Sequence, residues 1–233
     1  MNVLDFKNVD FSYSEREILK NLSFTLKKNE FLSIVGSSGC GKSTIIKIIA
    51  GIENCKNGKI KSLSTGYMPQ KDLLLPWRTI IDNITLPFEL SKKDKKISRE
   101  IALKYLKKLN LEDYKDKLPN ELSGGMKQRI SFLRTLLTEA DILLLDEPFS
   151  AVDAITKEYL QKWLLETLKQ FNKSIIFITH DINEALFLSD RILVCKNRPL
   201  DSFEEFIVPI DKKIENLSQI KNDILNVIRG ENI

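Results

Sequence analysis

The stretch Gly36-Ser37-Ser38-Gly39-Cys40-Gly41-Lys42-Ser43-Thr44 decides how this chain folds. It matches the pattern G-x-x-x-x-G-K-[ST], in which glycines let the backbone turn tightly and point several N–H groups into one concavity. Such a concavity binds anions, and Lys42 adds a positive charge where the β- and γ-phosphates of a nucleotide would lie. The Ser43 hydroxyl supplies the oxygen ligand that Mg²⁺ prefers. The stretch therefore predicts a site for a nucleoside triphosphate.

The flanks of this loop predict a strand before it and a helix after it. Residues 31–35 are typical of a buried strand, and residues 44–50 predict a helix whose positive dipole end faces the phosphates. A chance glycine-rich turn would not explain both flanks. The arrangement predicts an α/β protein, but kinases, GTPases, motors and transport ATPases all contain it.

The composition narrows the class of protein. The chain has 233 residues, 42% of them hydrophobic, which suffices for one large or two small domains with a sizeable core. No apolar run of about eighteen residues predicts a membrane span, and residues 1–5 lack the features of an export signal. Cys40, Cys55 and Cys195 lie far apart, so we expect a reducing compartment and neither a disulfide framework nor a zinc site. The net charge of +4 does not by itself indicate nucleic acid.

Two further apolar runs end in residues suited to phosphate chemistry. Residues 141–148 predict a buried parallel strand that ends in Asp146 and Glu147, where open α/β sheets bind ligands. Asp146 is suited to hold Mg²⁺ through water, and Glu147 to polarise a water that attacks the γ-phosphate. A strand over residues 174–179 ends at His180, the only histidine in the chain. A lone histidine is usually structural, but here a hydrogen-bond donor beside the γ-phosphate would be useful.

Tyr13 and the segment from Ser123 to Gly125 each allow two interpretations when they are considered alone. Tyr13 either stacks on a nucleotide base or is a half-buried tyrosine at a strand end, which is the commoner case. Ser123 is a good N-cap for a predicted helix. Gly124 and Gly125, which follow it, either let the backbone approach a ligand closely or form a simple hinge.

Hydrophobic periodicity predicts antiparallel strands near the start, a helical middle and more α/β units towards the end. Additional strands are expected over residues 3–11, 21–26, 59–63, 65–70 and 191–195, with a hairpin edge over 198–209. Helices are expected over residues 79–86, 98–109, 127–137, 150–171, 182–188 and 216–228. The charge run at residues 92–96 has no interleaved aromatics, which favours a solvated helix connection over a nucleic-acid patch.

In this order, the motifs resemble those of the ATP-binding subunit of ABC transporters, and the resemblance covers nearly the whole chain. On that resemblance, Walker A spans residues 36–44 and the Q-loop is Gln70. The signature motif spans residues 122–126, Walker B with its catalytic glutamate spans 142–147, and the D-loop runs from Ser150 to Asp153. His180 is then the switch histidine and Tyr13 the adenine-stacking residue. Seven motifs in register exclude chance as an explanation.

The resemblance implies a P-loop fold with a RecA-like core sheet, an antiparallel β subdomain and an inserted α-helical subdomain. The core with its β subdomain would comprise residues 1–70 and 140–233, and the helical subdomain residues 71–139. It also implies ATP and Mg²⁺ as ligands, with Ser43, Gln70 and Asp146 at the metal and Glu147, His180 and Gln70 in catalysis. Two copies would pair head to tail, so that Ser123, Gly124, Gly125 and Asp153 of one copy face the ATP on the Walker A motif of the other.

Two departures from the family pattern are visible. Residues 130–136 are bulkier than the alanine-rich helix expected after the signature, and Val152 replaces a leucine that is commoner in the D-loop. Neither removes a chemical group. The stretch Leu75-Pro76-Trp77-Arg78-Thr79 resembles the nitrate, sulfonate and taurine importer subfamily, which also includes transporters of thiamine-precursor pyrimidines.

The predicted function is therefore an import ATPase at the cytoplasmic face of the cell membrane. Its partners would be a permease and, indirectly, an extracytoplasmic solute-binding protein, with no nucleic acid. An exporter ATPase stays open as an alternative. A soluble ABC ATPase acting on nucleic acid would typically carry two cassettes or a long coiled coil, and a P-loop kinase would need neither the signature glycines nor His180.

Overall fold

The computed structural model describes residues 1–211 and 214–230, and it has the α/β fold that the sequence predicts. The strands of this part of the chain are β1 (Asn2–Tyr13), β2 (Arg16–Lys27), β3 (Phe31–Val35), β4 (Asn57–Ser62), β5 (Thr65–Met68), β6 (Ile142–Asp146), β7 (Ser174–Ile178), β8 (Arg191–Cys195) and β9 (Phe203–Ile207). Its helices are α1 (Lys42–Ile49), α2 (Ile80–Leu90), α3 (Lys95–Lys108), α4 (Gly124–Leu136), α5 (Ala154–Phe171), α6 (Ile182–Leu188) and α7 (Ile214–Arg229).

The larger sheet has the strand order β5-β6-β7-β3-β8-β9. All its neighbouring pairs are parallel except β8 and β9, so β9 is the antiparallel edge strand expected after residue 198. Every residue of β3, β6, β7 and β8 is buried, which explains why these strands are nearly continuous apolar runs. Their carboxyl ends meet at one edge, which brings the loop after β3 close to the residues that follow β6 and β7.

The smaller sheet is antiparallel, with the order β2-β1-β4. The alternating pattern of β1 correctly predicts antiparallel pairing, and the strand lies in the centre of this sheet. Its inward face, which includes Phe6 and Leu4, shares a buried apolar cluster with Ile34 of β3 and with Ile45 and Ile46 of α1. The smaller sheet is thereby held against the strand and helix that flank the phosphate loop.

Helices α2, α3 and α4 follow β5, as the periodicity predicts. Thr79 caps α2 by accepting a hydrogen bond from the Asp82 N–H at 3.3 Å. Helix α3 begins at Lys95, earlier than expected, because the Asp94 carboxylate caps it through the Ile97 N–H at 2.9 Å. Part of the charge run is therefore the first turn of α3.

Helix α5 begins later than predicted, at Ala154. Residues 150–153 instead form turns in which the Ser150 N–H donates to the Glu147 carbonyl at 3.2 Å. The Asp153 side chain then accepts from the Thr156 N–H at 3.0 Å and so caps the helix. The D-loop segment consequently leaves β6 as irregular backbone.

One apolar cluster joins the helical region to the large sheet. It contains Ile84 of α2, Leu106 of α3 and Leu133 of α4 together with Leu145 of β6 and Phe177 of β7. The division into a core with its β subdomain and a helical subdomain over residues 71–139 stays a prediction. In the described ranges, no helix is both long and apolar enough to cross a bilayer.

Candidate nucleotide site

A cavity of about 360 Å³ opens where the phosphate loop meets the start of β2 and the ends of β5 and β6. It is lined by Tyr13, Arg16, Ile18, Ser38, Gly39, Gly41, Lys42, Ser43, Thr44, Gln70 and Glu147. The chain segments that supply these residues are distant in sequence, so the fold assembles the cavity from five separate motifs or elements. Most of the predicted phosphate-loop residues therefore line the same cavity as Tyr13, Gln70 and Glu147.

The phosphate loop depends on glycine at two positions. Gly39 and Gly41 have φ angles of 76° and 108°, a region that other residues rarely adopt. At Gly41 a Cβ would also lie 3.1 Å from side-chain atoms of Ile18 and Leu19. Gly41 is the N-cap of α1 and has no side-chain cap, so the first N–H groups of the helix are open to a ligand.

The Lys42 side chain is buried within the loop. Its ammonium donates to the Gly36 carbonyl at 2.8 Å and to the Ser37 carbonyl at 3.0 Å, and it lies 3.7 Å from the Cys40 sulfur. Its charge is thus concentrated at the mouth of a concavity of backbone N–H groups. Phosphate oxygens entering the cavity would meet this charge directly.

The next residue, Ser43, is joined to the end of β6. Its hydroxyl donates to Asp146 Oδ1 at 3.1 Å. Burial raises the pKa of Asp146, and the hydrogen bond from Ser43 acts in the opposite direction. These two oxygens and the amide oxygen of Gln70 fit the preference of Mg²⁺ for hard ligands. Because the described residues contain no cluster of three His, Cys, Asp or Glu side chains, phosphates and water would complete such a site.

Glu147 lies between the other two predicted catalytic side chains. Gln70 Nε2 donates to Glu147 Oε2 at 3.0 Å, and His180 Nδ1 lies 3.4 Å from Glu147 Oε1. Glu147 itself has a φ of 48°, and its N–H donates to the Ile178 carbonyl at 3.0 Å. Its left-handed backbone turns the carboxylate out of the strand line towards the cavity.

The geometry agrees with what comparison with known proteins finds. Residues 19–150 match the family model described as ABC transporter. The chain belongs to the ABC transporter family. It is an ATPase of that family, and its nucleotide is ATP.

Similar curated proteins include two import subunits. The formylaminopyrimidine import ATP-binding protein ThiZ of Halalkalibacterium halodurans is 40% identical, covering 99% of this chain and 98% of ThiZ. The aliphatic sulfonates import ATP-binding protein SsuB of Bacillus cereus is 37% identical, covering 90% of this chain and 87% of SsuB. These similarities confirm the predicted resemblance to the sulfonate and thiamine-precursor subfamily.

Similar solved structures are ABC cassettes. A dimeric ATP-binding cassette in a post-hydrolysis state, bound to ADP and Pi, has a TM-score of 0.80 and 29% identity, covering 88% of this chain and 99% of that one. An ABC transporter in an inward-facing conformation has a TM-score of 0.76 and 27% identity, covering 95% and 89% respectively. The predicted fold class is thereby confirmed.

The signature residues do not line the cavity of their own cassette. Ser123 caps α4, accepting from the Met126 N–H at 3.3 Å, as predicted. A Cβ on Gly125 would lie 3.0 Å from the Ala151 carbonyl oxygen, whereas one on Gly124 would meet nothing within 4 Å. The D-loop residue Asp153 caps α5 and likewise lies outside the cavity lining. The fold therefore brings together Walker A, the Q-loop and Walker B, but leaves the signature apart.

The sequence alone does not identify Gln128, which connects α4 to the residues that follow β6. This side chain is buried, and its Nε2 donates to the Glu147 carbonyl at 3.0 Å and to Ser150 Oγ at 3.2 Å. Its Oε1 accepts from the Ala151 N–H at 2.8 Å. A polar residue one helical turn after Gly124 was the available signal, but only the fold reveals its partners.

The tryptophan of the importer-type stretch is 74% exposed. The Trp77 side chain is therefore not part of the helical core. Leu74, by contrast, is buried. Trp77 lies at the edge of a groove of about 450 Å³, whose lining includes Arg78, Asp82 and Glu89.

Proposed function

We propose that this chain is the ATP-hydrolysing subunit of an ABC importer. Two copies would act as a head-to-tail pair at the cytoplasmic face of a membrane. The observation that carries the proposal is the position of Glu147, between Gln70 and His180 and at the wall of the cavity that contains the phosphate loop. This arrangement puts a carboxylate beside the expected site of the γ-phosphate.

In this proposal the phosphate loop and Lys42 bind and orient the phosphates. Ser43, Asp146 and Gln70 would hold Mg²⁺, which neutralises charge on the phosphate oxygens when it is bound. Glu147 accepts a proton from the attacking water. His180 donates a hydrogen bond to the γ-phosphate, and Gln70 orients the groups around it. Tyr13, which is exposed at the cavity rim, supplies a face on which adenine stacks.

The second half of each site would come from the other copy. Gly124 has open space beside it, and the start of α4 lies outside the cavity of its own chain. A partner's phosphate could therefore approach Ser123, Gly124 and Gly125 from outside. Asp153 would face the same partner, since it follows Ala151, whose carbonyl oxygen would lie 3.0 Å from a Cβ on Gly125.

The groove beside Trp77 is the proposed docking surface for the permease. It combines an exposed aromatic side chain with charges of both signs, a composition suited to binding a short helix. The Q-loop links it to the nucleotide, because residues 71–78 join Gln70 to Trp77. Relatives named for formylaminopyrimidine and sulfonate import favour a small organic solute, delivered by an extracytoplasmic binding protein.

A paired measurement on two variants tests this function. ATP turnover is measured on the purified subunit, and solute uptake on the complex with its permease in vesicles. Glu147→Gln should keep ATP binding and lower turnover by about 10²–10⁴-fold, with uptake lost in parallel. Trp77→Ala should leave turnover of the isolated subunit within about twofold of the wild type, because exposed substitutions away from the site usually have small effects. It should nevertheless weaken permease binding and uptake.

Glu158→Gln is the matched control, since Glu158 forms an exposed ion pair with Lys162 on α5 and does not line the nucleotide cavity or the groove beside Trp77. It should behave as the wild type in both assays. Turnover within a few-fold of the wild type in Glu147→Gln would remove this residue from catalysis. Unchanged uptake in Trp77→Ala would remove the groove from the coupling surface.

A further inference from the structure

The loop between β8 and β9 reaches back to the phosphate loop. Arg198 lies in this connection, between Cys195 and Phe203. Its Nη2 donates to Ser37 Oγ at 2.8 Å and also to the Ser38 carbonyl oxygen. These contacts join Arg198 to residues 161 and 160 positions earlier in the chain, and none of the motifs in the sequence indicates them. An arginine thus holds the outside of the loop that would bind the phosphates.

The backbone that carries Arg198 is itself anchored. The Leu200 N–H donates to the Ile18 carbonyl at 2.9 Å, and the Leu200 carbonyl accepts from the Lys20 N–H at 3.0 Å. The Leu200 side chain is fully buried. Because the neighbouring backbone is fixed on β2, the guanidinium starts from a defined position, which reduces the entropy lost when it binds the loop.

The phosphate loop is a thin wall with a cavity on each side. Gly39 lines both the nucleotide cavity and a smaller cavity of about 160 Å³ behind the loop, which Arg198 also lines. A Cβ on Gly39 would meet nothing within 4 Å, so no atom packs against the open side of this left-handed residue. A hydrogen bond from behind can supply the missing restraint.

We propose that Arg198 is a positioning residue that aims the Gly39 N–H at the phosphates of ATP. In a planar trans peptide the C=O and N–H point in opposite directions. When Arg198 draws the Ser38 carbonyl outwards, the N–H of the following Gly39 is turned inwards, towards the nucleotide cavity. Arg198 thereby fixes the direction of a phosphate-binding donor without touching the nucleotide.

Lys42 holds the same loop from the inside, through the carbonyls of Gly36 and Ser37. Once phosphates enter, the ammonium of Lys42 interacts with them, and its hold on those carbonyls weakens. The contacts from Arg198 are on the other face and remain. Arg198 should therefore stabilise the loop most in the nucleotide-bound protein. Its loss should then lower the affinity for MgATP.

The proposal rests on ATP binding at the phosphate loop, and the test separates the two. The dissociation constant for MgATP, the Michaelis constant, kcat and the melting temperature are measured on the full chain. Arg198→Ala should raise the dissociation and Michaelis constants about tenfold, the effect expected from losing charge-assisted hydrogen bonds at an exposed site. Because the Gly39 donor binds ground and transition states alike, kcat at saturating MgATP should stay within about twofold.

Three further variants make the result specific. Arg198→Lys keeps one donor and should recover part of the affinity. Lys196→Ala removes a cation from the same loop that pairs with Glu204 rather than with the phosphate loop, and should bind MgATP as the wild type does. Lys42→Ala should lose MgATP binding if the phosphate loop is the nucleotide site.

Unchanged MgATP affinity in Arg198→Ala, together with lost binding in Lys42→Ala, would overturn the role of Arg198 alone. Unchanged affinity in Lys42→Ala would overturn the nucleotide site itself. A fall in melting temperature that accompanies equal losses of affinity and kcat, without recovery in Arg198→Lys, would mean a general structural role and would also overturn the proposal.

Discussion

Helices α1 and α4 begin in similar ways but do different things. Both start next to glycines and present backbone N–H groups that could bind an anion. The start of α1 has no side-chain cap and faces a cavity of its own chain. The start of α4 is capped by Ser123 and lies outside that cavity. If the proposed head-to-tail pairing is correct, a similar helix start can form a complete site within one chain or half of a site that a second molecule completes.

The two helix starts are nevertheless connected through Glu147. Gln128, on α4, donates to the Glu147 carbonyl, while the Glu147 carboxylate contacts Gln70 and His180 in front of α1. A shift of α4 would therefore displace the backbone of Glu147, the proposed catalytic residue. Binding of a partner's phosphate at the signature and hydrolysis at the Walker motifs are expected to be coupled in this way.

A mixed dimer gives the strongest test of whether the start of α1 in one copy and the start of α4 in the other form one site. When one copy carries Lys42→Ala and the other Ser123→Arg, head-to-tail pairing leaves one site intact. When both changes are in one copy and the partner is wild type, both sites are damaged. We expect single-turnover ATP cleavage to be at least about tenfold faster in the first arrangement, since losing such phosphate stabilisation typically costs about 10²–10³-fold.

The two dimers have the same composition, so each is the control for the other. Equal cleavage in the two arrangements would contradict head-to-tail pairing. Purification through two different tags ensures that only mixed dimers are assayed.

The two glycines of the signature give a smaller but sharper test. Gly124→Ala meets no atom within its own chain, and alanine favours a helix more than glycine does. We expect its melting temperature to be unchanged or higher while ATPase activity falls roughly ten- to a hundredfold, because a partner's phosphate would be kept at a distance. Activity and thermal unfolding are measured on the same preparation.

Gly125→Ala is the matched variant. Its new Cβ would lie 3.0 Å from the Ala151 carbonyl oxygen, so the D-loop must shift by a few tenths of an ångström. Here stability and activity should fall together. If Gly124→Ala were as active as the wild type, the start of α4 would be an ordinary capped helix and the comparison with α1 would fail.

Features of the fold that depend on residues close together in the sequence could be predicted, whereas those that depend on distant residues could not. The phosphate loop, the buried strands and the caps Thr79 and Ser123 depend on neighbouring residues, and their predictions are confirmed. The predicted starts of α3, α4 and α5 are wrong by three or four residues, at α3 and α5 because Asp94 and Asp153 compete with other capping positions nearby. Pattern reasoning identifies a boundary region but does not decide between adjacent caps.

Gln128 and Arg198 could not be found from the sequence, for a different reason. Each acts through partners that are distant along the chain, 19 and 161 positions away for Glu147 and Ser37 respectively. Neither lies in a pattern that has chemical meaning by itself. Such residues become visible only when the fold brings the loop after β8 behind the phosphate loop, or α4 beside β6.

The smallest expected effect is a difference in pKa between a thiol at the start of α1 and a thiol at the start of α4. It probes the two helix starts most directly. Cys40 lies just before α1, and the hydrogen bond with the Cys195 thiol, followed by the charges of Lys42 and Arg198, lowers its pKa to about 6 although burial opposes this. A cysteine at the start of α4, introduced as Ser123→Cys, has no such thiol partner or buried lysine beside it. Its pKa should stay closer to the ordinary value of about 8.5, lowered only by the helix dipole.

Alkylation by iodoacetamide, followed by peptide mass spectrometry in a Cys55→Ser background, measures how the reaction rate of each cysteine depends on pH. Because the thiolate is the nucleophile, the alkylation rate of Cys40 should rise with pH through about 6 and level off, while that of the new cysteine should still be rising above pH 8. MgATP should slow the alkylation of Cys40 by covering the loop and leave the isolated chain's new cysteine unaffected. Coincident profiles would mean that neither the Cys195 thiol nor the charges of Lys42 and Arg198 lower the pKa of Cys40, and the distinction drawn between the two helix starts would be lost.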